Sequence, residues 1–219
     1  MTEKPTGPTV TRVSDLTLQP AADYWYRVVA FNGAGDSPAS NTLTVLALGT
    51  RVVTLQPDAS QGVDVWITSV FSYGDDWGVD DDRLQVGGWG DYYHTLLKFD
   101  VSALPANATS AVIELFPFSR GDQSTPVSMT LHRVTSSWDE SVGWFTRPGA
   151  TPVSALPAPQ PGSAYQIDIT ALYNAWKSGA LPNFGIELRP TANDNRFNVF
   201  RSSDYTSDPT RRPRLVVRY

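Results

Sequence analysis

The sequence predicts an all-β protein: an antiparallel β-sandwich or jelly roll with one short helix, preceded by a smaller β segment. Three observations carry that expectation. Nine Tyr, nine Phe and seven Trp, which favour strands, stand among 17 Pro and 16 Gly that punctuate them. Short runs of alternating apolar and polar residues recur along the chain, with Gly, Pro, Ser and Asp turns between them. Only one segment has helical periodicity. With 219 residues, 41% of them hydrophobic and 18% charged, the chain has enough apolar material for a core and is not of disordered composition.

Taken in order, residues 1–8 are rich in Pro, Gly and Thr and read as a flexible leader. They lack the apolar core of a signal peptide and read as a break inside a longer protein. Residues 9–48 form the first β segment. Alternating Tyr24, Tyr26, Val28 and Ala30 predict a strand, Asn32-Gly33-Ala34-Gly35 a turn, and Thr42–Leu46 a returning strand. Residues 49–51 are a hinge, and a second module occupies 52–219.

The second module is organised around Tyr92–Val101. With period two, Leu97, Phe99 and Val101 face one way and Leu96, Lys98 and Asp100 the other, and Pro105 stops the run. Further strands are expected at Val52–Gln56, Val63–Thr68, Arg83–Val86, Thr95–Val101, Ala111–Phe118, Ser128–Val134, Ala164–Ile169, Phe184–Arg189, Asn198–Ser202 and Arg214–Arg218. The helical exception is Thr170–Ser178, where Thr170 is placed to cap, Leu172 and Trp176 share a face, and Gly179 ends the helix. Residues 148–163, rich in Pro, read as a loop.

Several functions are excluded or disfavoured by composition. There is no cysteine and there are two histidines, so Cys/His zinc sites and thiolate nucleophiles are ruled out. No run of apolar residues is long enough for a membrane helix. A net charge of −5 argues against nucleic acid as the main partner. Residues 58–82 carry seven Asp and no Lys or Arg, whereas 189–219 carry seven Arg and three Asp. The acidic stretch suits a cation and the basic one an anionic ligand.

Two family resemblances follow from ordered motifs. The spacing Leu18-x-Pro20-x-x-x-Tyr24, with Tyr26-Arg27-Val28-x-Ala30-x-Asn32-x-x-Gly35, resembles the last third of a fibronectin type III domain. The strands that would complete that sandwich have no counterpart in residues 1–8, and half a sandwich exposes an apolar face and a sheet edge. In the second module, Asp64-Val65-Trp66-Ile67, Leu96-Leu97-Lys98-Phe99-Asp100-Val101, Trp138-Asp139-Glu140-Ser141, Asp168-Ile169-Thr170 and Pro213-Arg214-Leu215-Val216-Val217 follow in order. This set resembles the DNRLRE domain, a jelly-roll module of secreted multidomain bacterial and archaeal proteins. That resemblance implies an extracellular module, some of whose relatives bind acidic polysaccharides such as alginate.

The candidate site residues fall into three groups. Asp75, Asp76, Asp80, Asp81 and Asp82 crowd five carboxylates together, and calcium takes such oxygens, so a structural Ca²⁺ is the expected cofactor. Trp89, Tyr92 and Tyr93 cluster around glycines, which suits stacking on the C–H faces of sugars, while Trp66, Trp138, Trp144 and Trp176 read as core. Lys98, Arg133, Arg189 and Arg201 lie in predicted strands and would form a basic groove if they shared a face, since Arg forks hold carboxylates bidentately. Adjacent Asp139 and Glu140 lack the facing geometry of a glycosidase pair, so an enzyme is not expected. The expected function is therefore non-catalytic binding of an acidic, alginate-like polysaccharide. The expected partners are that polysaccharide, with no nucleic acid and no membrane insertion, and the chain is expected to be a monomer. The competing expectation is a structural or adhesive module, or a filament subunit, that assembles by strand pairing through the first segment.

Overall fold

The computed structural model describes residues 22–47, 51–70, 82–119, 124–160, 162–192 and 195–219, and divides into two compact units, Met1–Arg51 and Val52–Tyr219. In the first unit the strands are β1 (Ala22–Tyr26), β2 (Phe31–Asn32), β3 (Gly35–Asp36) and β4 (Leu43–Ala47). β1 and β4 pair antiparallel, with Tyr24 opposite Val45 and Tyr26 opposite Leu43, and the rings of Tyr24 and Tyr26 stack. The turn forms where expected: β2 pairs β3, and Asn32 Oδ1 accepts from the Ala34 N–H at 2.8 Å. The strand expected to run through Ala30 ends at Tyr26. Beyond it the N–H groups of Val28 and Ala30 are taken by the hydroxyls of Ser40 and Ser37, which flank Pro38. The same serines donate their own N–H groups to the Ala30 and Val28 carbonyls, so each contact mixes one backbone and one side-chain hydrogen bond in place of a regular ladder.

The second unit holds β5 (Val52–Leu55), β6 (Val63–Thr68), β7 (Arg83–Gly87), β8 (Tyr93–Lys98), β9 (Ser110–Leu115), β10 (Met129–Val134), β11 (Ala150–Leu156), β12 (Tyr165–Asp168), α1 (Thr170–Lys177), β13 (Ile186–Pro190), β14 (Phe197–Arg201) and β15 (Arg214–Arg218). One sheet runs β11-β10-β13-β8-β7-β14, with β6 also paired to β8, and the other runs β12-β9-β15-β5. All the pairings are antiparallel. The fold is thus the expected all-β sandwich with a single short helix.

The main core lies between the two sheets. Leu84, Leu97, Leu131, Ile186, Leu188 and Phe200 from one meet Ile113, Leu115, Ile167, Leu215 and Val217 from the other, all buried. Each such side chain contributes about 1.5–3 kcal/mol by leaving water. α1 closes this core with Leu172 and Tyr173. Its start differs from expectation. Thr170 is the first helical residue and not the cap; its hydroxyl accepts from the Ala111 N–H and donates to Asp168, whose carboxylate also takes the Thr170 N–H. Gly179 ends the helix with φ +74, the left-handed conformation glycine adopts freely.

A further difference is β11, which occupies part of the stretch expected to be loop. Pro152 is tolerated because β11 is an edge strand and because Pro152 sits opposite His132, where the pairing register shifts. β8 keeps the expected alternation: Leu97, Phe99 and Val101 enter the main core, while Leu96 joins a second cluster on the opposite face.

Candidate functional site

That opposite face is where the candidate site is built. Val65 and Ile67 of β6, Leu96 of β8 and Val134 of β10 form an apolar patch on it. Left bare, the patch would face water. The segment after β10 covers it with Trp138, Val142 and Trp144, joined by Phe184. Trp138 is pinned by donating from Nε1 to the Phe184 carbonyl at 2.7 Å, and the Glu140 carboxylate accepts from the Asp64 N–H at 2.9 Å. Asp139 accepts from the Ser141 N–H and hydroxyl, so the adjacent acids shape a turn. These bonds hold the Asp139 carboxyl below its usual range, with the Ser141 side chain the larger cause.

At one end of the covering segment lies Lys98, with Nζ 5.4 Å from the Trp138 ring centroid. Beside it a cleft of about 410 Å³ is lined by Gln61, Val63, Lys98, Asp100 and Asn183 among others. At the other end, period two along β8 brings up His94 and Tyr92. His94 pairs across to Ile67, and its ring lies 4.6 Å from that of Trp144. Tyr92 stacks on Trp144 at 6.3 Å and 19°, with 44% of its surface exposed. Its backbone is fixed from both sides, donating to Ser69 Oγ and accepting from the Ser69 N–H. The Arg147 guanidinium sits 4.1 Å over the Trp144 ring, a cation–π contact.

Two neighbouring strands complete this end. β13 puts Glu187 and Arg189 on the face and β10 puts Thr130 and His132 there, with His132 opposite Glu187 and Thr130 opposite Arg189. Glu187 is fully buried; burial alone would raise its carboxyl. Hydrogen bonds from His94 Nδ1 and Arg189 Nη2, each at 2.8 Å, and the Arg189 charge outweigh burial and hold it below its usual range. Burial drives the His94 imidazole down, and the charges of Arg189 and Arg147 add to that against the pull of Glu187. His132 is lowered for the same leading reason, then by Arg189. Both rings are therefore neutral near pH 7, while Glu187 is ionised and donated to from two sides. His132 Nε2 meets Thr130 Oγ1 at 2.9 Å, but His132 Nδ1 and Arg189 Nε are buried without a hydrogen-bond partner. Buried polar nitrogens in this state are uncommon; the Arg189 Nε is a donor, whereas the role of His132 Nδ1 depends on its tautomer.

The expected aromatic residues separate. Trp89 is exposed by 48% on the turn between β7 and β8, where its N–H and the Thr68 hydroxyl both donate to the buried Asp91 carboxylate. Tyr93 turns the other way, edge-on to Trp66 and Phe197, and burial followed by the Asp91 charge pushes its phenol up to about 12. It supports the fold and does not face the site. The turn depends on Gly87, at φ +150; a Cβ there would lie 2.3 Å from the Arg196 carbonyl.

The four expected basic residues do not share a face. Lys98 and Arg189 do, at its two ends. Arg133 pairs with the core residue Ile186, so its register belongs to the other side of the sheet. Arg201 is held between the Phe118 and Tyr205 rings at 3.7 and 3.8 Å and is ion-paired with Asp82 at 2.9 Å. Of the calcium candidates, Asp82 is thus engaged by Arg201, and Asp75, Asp76, Asp80 and Asp81 lie outside the described residues. Among the described residues no group of His, Asp and Glu converges as a metal site. Trp144, Arg147 and both histidines were not among the expected site residues. His94 was within reach, because alternation carried back from Lys98 lands on it and on the expected Tyr92; nothing local marks His132 or Arg147.

Aromatic faces beside arginines suit the flat C–H faces and the charged groups of a sugar polymer. A search of curated proteins finds no match. The model of carbohydrate-binding module family 96 matches residues 59–219, every strand of the sandwich from β6 onward, and the chain belongs to that family.

Proposed function

We propose that the sandwich binds an acidic, alginate-like polysaccharide, without catalysis, on the face that carries Tyr92, Trp144, Arg147, His132 and Arg189. The observation that carries this reading is the meeting of a stacked aromatic pair, Tyr92 exposed and Trp144 half-buried, with two guanidinium groups on one sheet face. The aromatic rings offer flat surfaces for sugar C–H groups, and the guanidiniums offer forks for carboxylates. Lys98, on the same face of β8, extends the positive track. Arg147 thus takes the role expected of Arg133 and Arg201. The module acts outside the cell, as an accessory part of a secreted multidomain protein. Residues 22–47, with their tyrosine-bearing antiparallel ladder, are the trailing strands of a fibronectin type III domain in this reading.

Binding of alginate, measured against carboxyl-reduced alginate of the same length, tests it. Arg147→Ala should weaken alginate by roughly tenfold, the size of one charge-assisted hydrogen bond, and leave the neutral polymer almost unaffected. Equal affinity for both polymers would refute the acidic specificity. A second reading, a structural module assembling by strand addition, draws on the exposed Trp25, Phe31 and Leu43 of the first unit.

A further inference from the structure

The chain has two histidines, 38 positions apart, and the fold brings both to the same carboxylate. His94 hydrogen-bonds Glu187 from β8, and His132 stands opposite Glu187 from β10. Arg189 reaches the same carboxylate from β13, and Arg147 approaches from the covering segment. The remaining neighbours carry no charge at these positions: β6 presents Ile67 opposite His94, and β11 presents Pro152 opposite His132. Tyr92, Trp144 and Thr130 complete the surroundings. With both imidazoles neutral, two arginines against one glutamate leave this end of the face with a single net positive charge. Protonating the imidazoles would raise it to three. Among the described residues the compensating anion inside is Glu187, which already takes part in two hydrogen bonds.

We propose that His132, with His94 beside it, sets the preference for charged over neutral glycans by taking up a proton when a carboxylate-bearing sugar binds. This rests on the acidic-polysaccharide reading above and adds its regulation. The geometry supplies the means. His132 Nδ1, buried beside Glu187, has no hydrogen-bond partner, and neither has the buried Arg189 Nε on the neighbouring strand. A carboxylate bound on the face beside Arg147 and Arg189 supplies, through space, the negative charge an imidazolium needs. Burial chiefly keeps the rings neutral in the free protein, with the Arg189 charge adding to it at both and Arg147 at His94, and a bound anion offsets those positive charges. Linkage then fixes the sign: the ligand raises the imidazole pKa, so affinity grows as pH falls through the bound-state value, and it levels off below the free-state value.

The test is calorimetric titration of the full chain with alginate from about pH 5 to about pH 8, the range in which histidine titrates. Two buffers of different protonation enthalpy count the protons taken up, and carboxyl-reduced alginate is the neutral control. Affinity for alginate should rise toward tenfold per pH unit on acidification, the limit for one proton, while the neutral polymer stays flat. His132→Gln, which keeps a partner for Thr130 but cannot become charged, should flatten the alginate profile. Alginate binding that is tight at every pH, with no proton uptake, would overturn the proposal and leave the binding reading standing. Failure to bind alginate at any pH would overturn both. Should the variant fold poorly, the imidazole resonances of the unaltered chain decide: their pKa values must rise on adding alginate, and unchanged values refute the coupling.

Discussion

Asp64→Asn should stabilise the sandwich at neutral and alkaline pH and do little in acid. Asp64 lies in β6 with 4% of its surface exposed, and its carboxylate accepts from the Ser203 N–H at 3.1 Å. Burial, and then the charges of Asp204 and Glu140, raise its pKa from 3.8 to about 7 against the opposing Ser203 bonds. In the unfolded chain the carboxyl loses its proton near 3.8, whereas the folded protein keeps it until about 7. Between those values the folded state binds more protons, so stability falls as pH rises, and above the window the loss is complete. Three units at about 1.4 kcal/mol each set a ceiling of roughly 4 kcal/mol, which local relaxation would reduce. An asparagine can still accept from the Ser203 N–H through its oxygen, and its amide can donate toward the neighbouring carboxylates. Other carboxyls act in the opposite sense: Glu187 and Asp168 sit below their usual range and lose stability on acidification. The informative quantity is therefore the difference between variant and parent in urea melts at several pH values. It should be near zero around pH 3.5, grow through the window and flatten above about pH 8. A difference independent of pH, or a variant less stable throughout, would refute the argument that the buried charge is the cause.

Four shorter predictions follow from the same geometry. Alginate affinity should fall as salt is raised, because the Arg147, Arg189 and Lys98 contacts are partly exposed and screened; a flat salt profile would shift the weight to Tyr92 and Trp144. Tyr92→Ala should weaken acidic and neutral glycans alike with little change in melting temperature, and a loss confined to acidic polymers would contradict the stacking role. Gly87→Ala should cost well over the roughly 1 kcal/mol of an ordinary substitution, since the new methyl meets backbone at 2.3 Å; an unchanged chemical melt would show that the turn can shift. Calcium at the Asp75–Asp82 loop should raise the melting temperature relative to chelator, and coincident curves would reduce that loop to a solvated acidic turn.

Most of the fold was legible because burial on a sheet writes a period of two into the sequence. Val63–Thr68 and Arg214–Arg218 have the expected bounds, and Leu96 and Leu97 divide between two faces as alternation requires. The failures have local causes that alternation cannot register. β11 contains a proline and no strong alternation, yet its N–H groups on one side need no partner at a sheet edge. The strand through Ala30 was overestimated because serine hydroxyls take half of the hydrogen bonds of a ladder there without altering the pattern of side chains. Thr170 had a capping residue's identity, but Asp168, two positions earlier, supplies the oxygen that the Thr170 N–H takes.

The site was less legible, and the reason lies in how a sheet brings residues together. Cross-strand neighbours such as His94 and Glu187, or His132 and Glu187, are separated by long stretches of chain, so their meeting depends on strand order rather than on spacing. Period two alone predicts which face a residue takes on its own strand, and it placed Lys98 correctly relative to Leu97. It cannot say that β13 lies between β8 and β10, which is what turns one buried glutamate into a hub for two histidines and an arginine. The covering segment is a second unseen factor. Its tryptophans carry the composition of a core, and Trp138 and Trp144 do cover an apolar patch, but Trp144 also offers a ring to Tyr92, His94 and Arg147. One residue thus seals a hydrophobic cluster and floors a binding face. Replacing it would confound stability with affinity, and so Arg147 and Tyr92, which lie outside that cluster, are the positions where function can be read separately from folding.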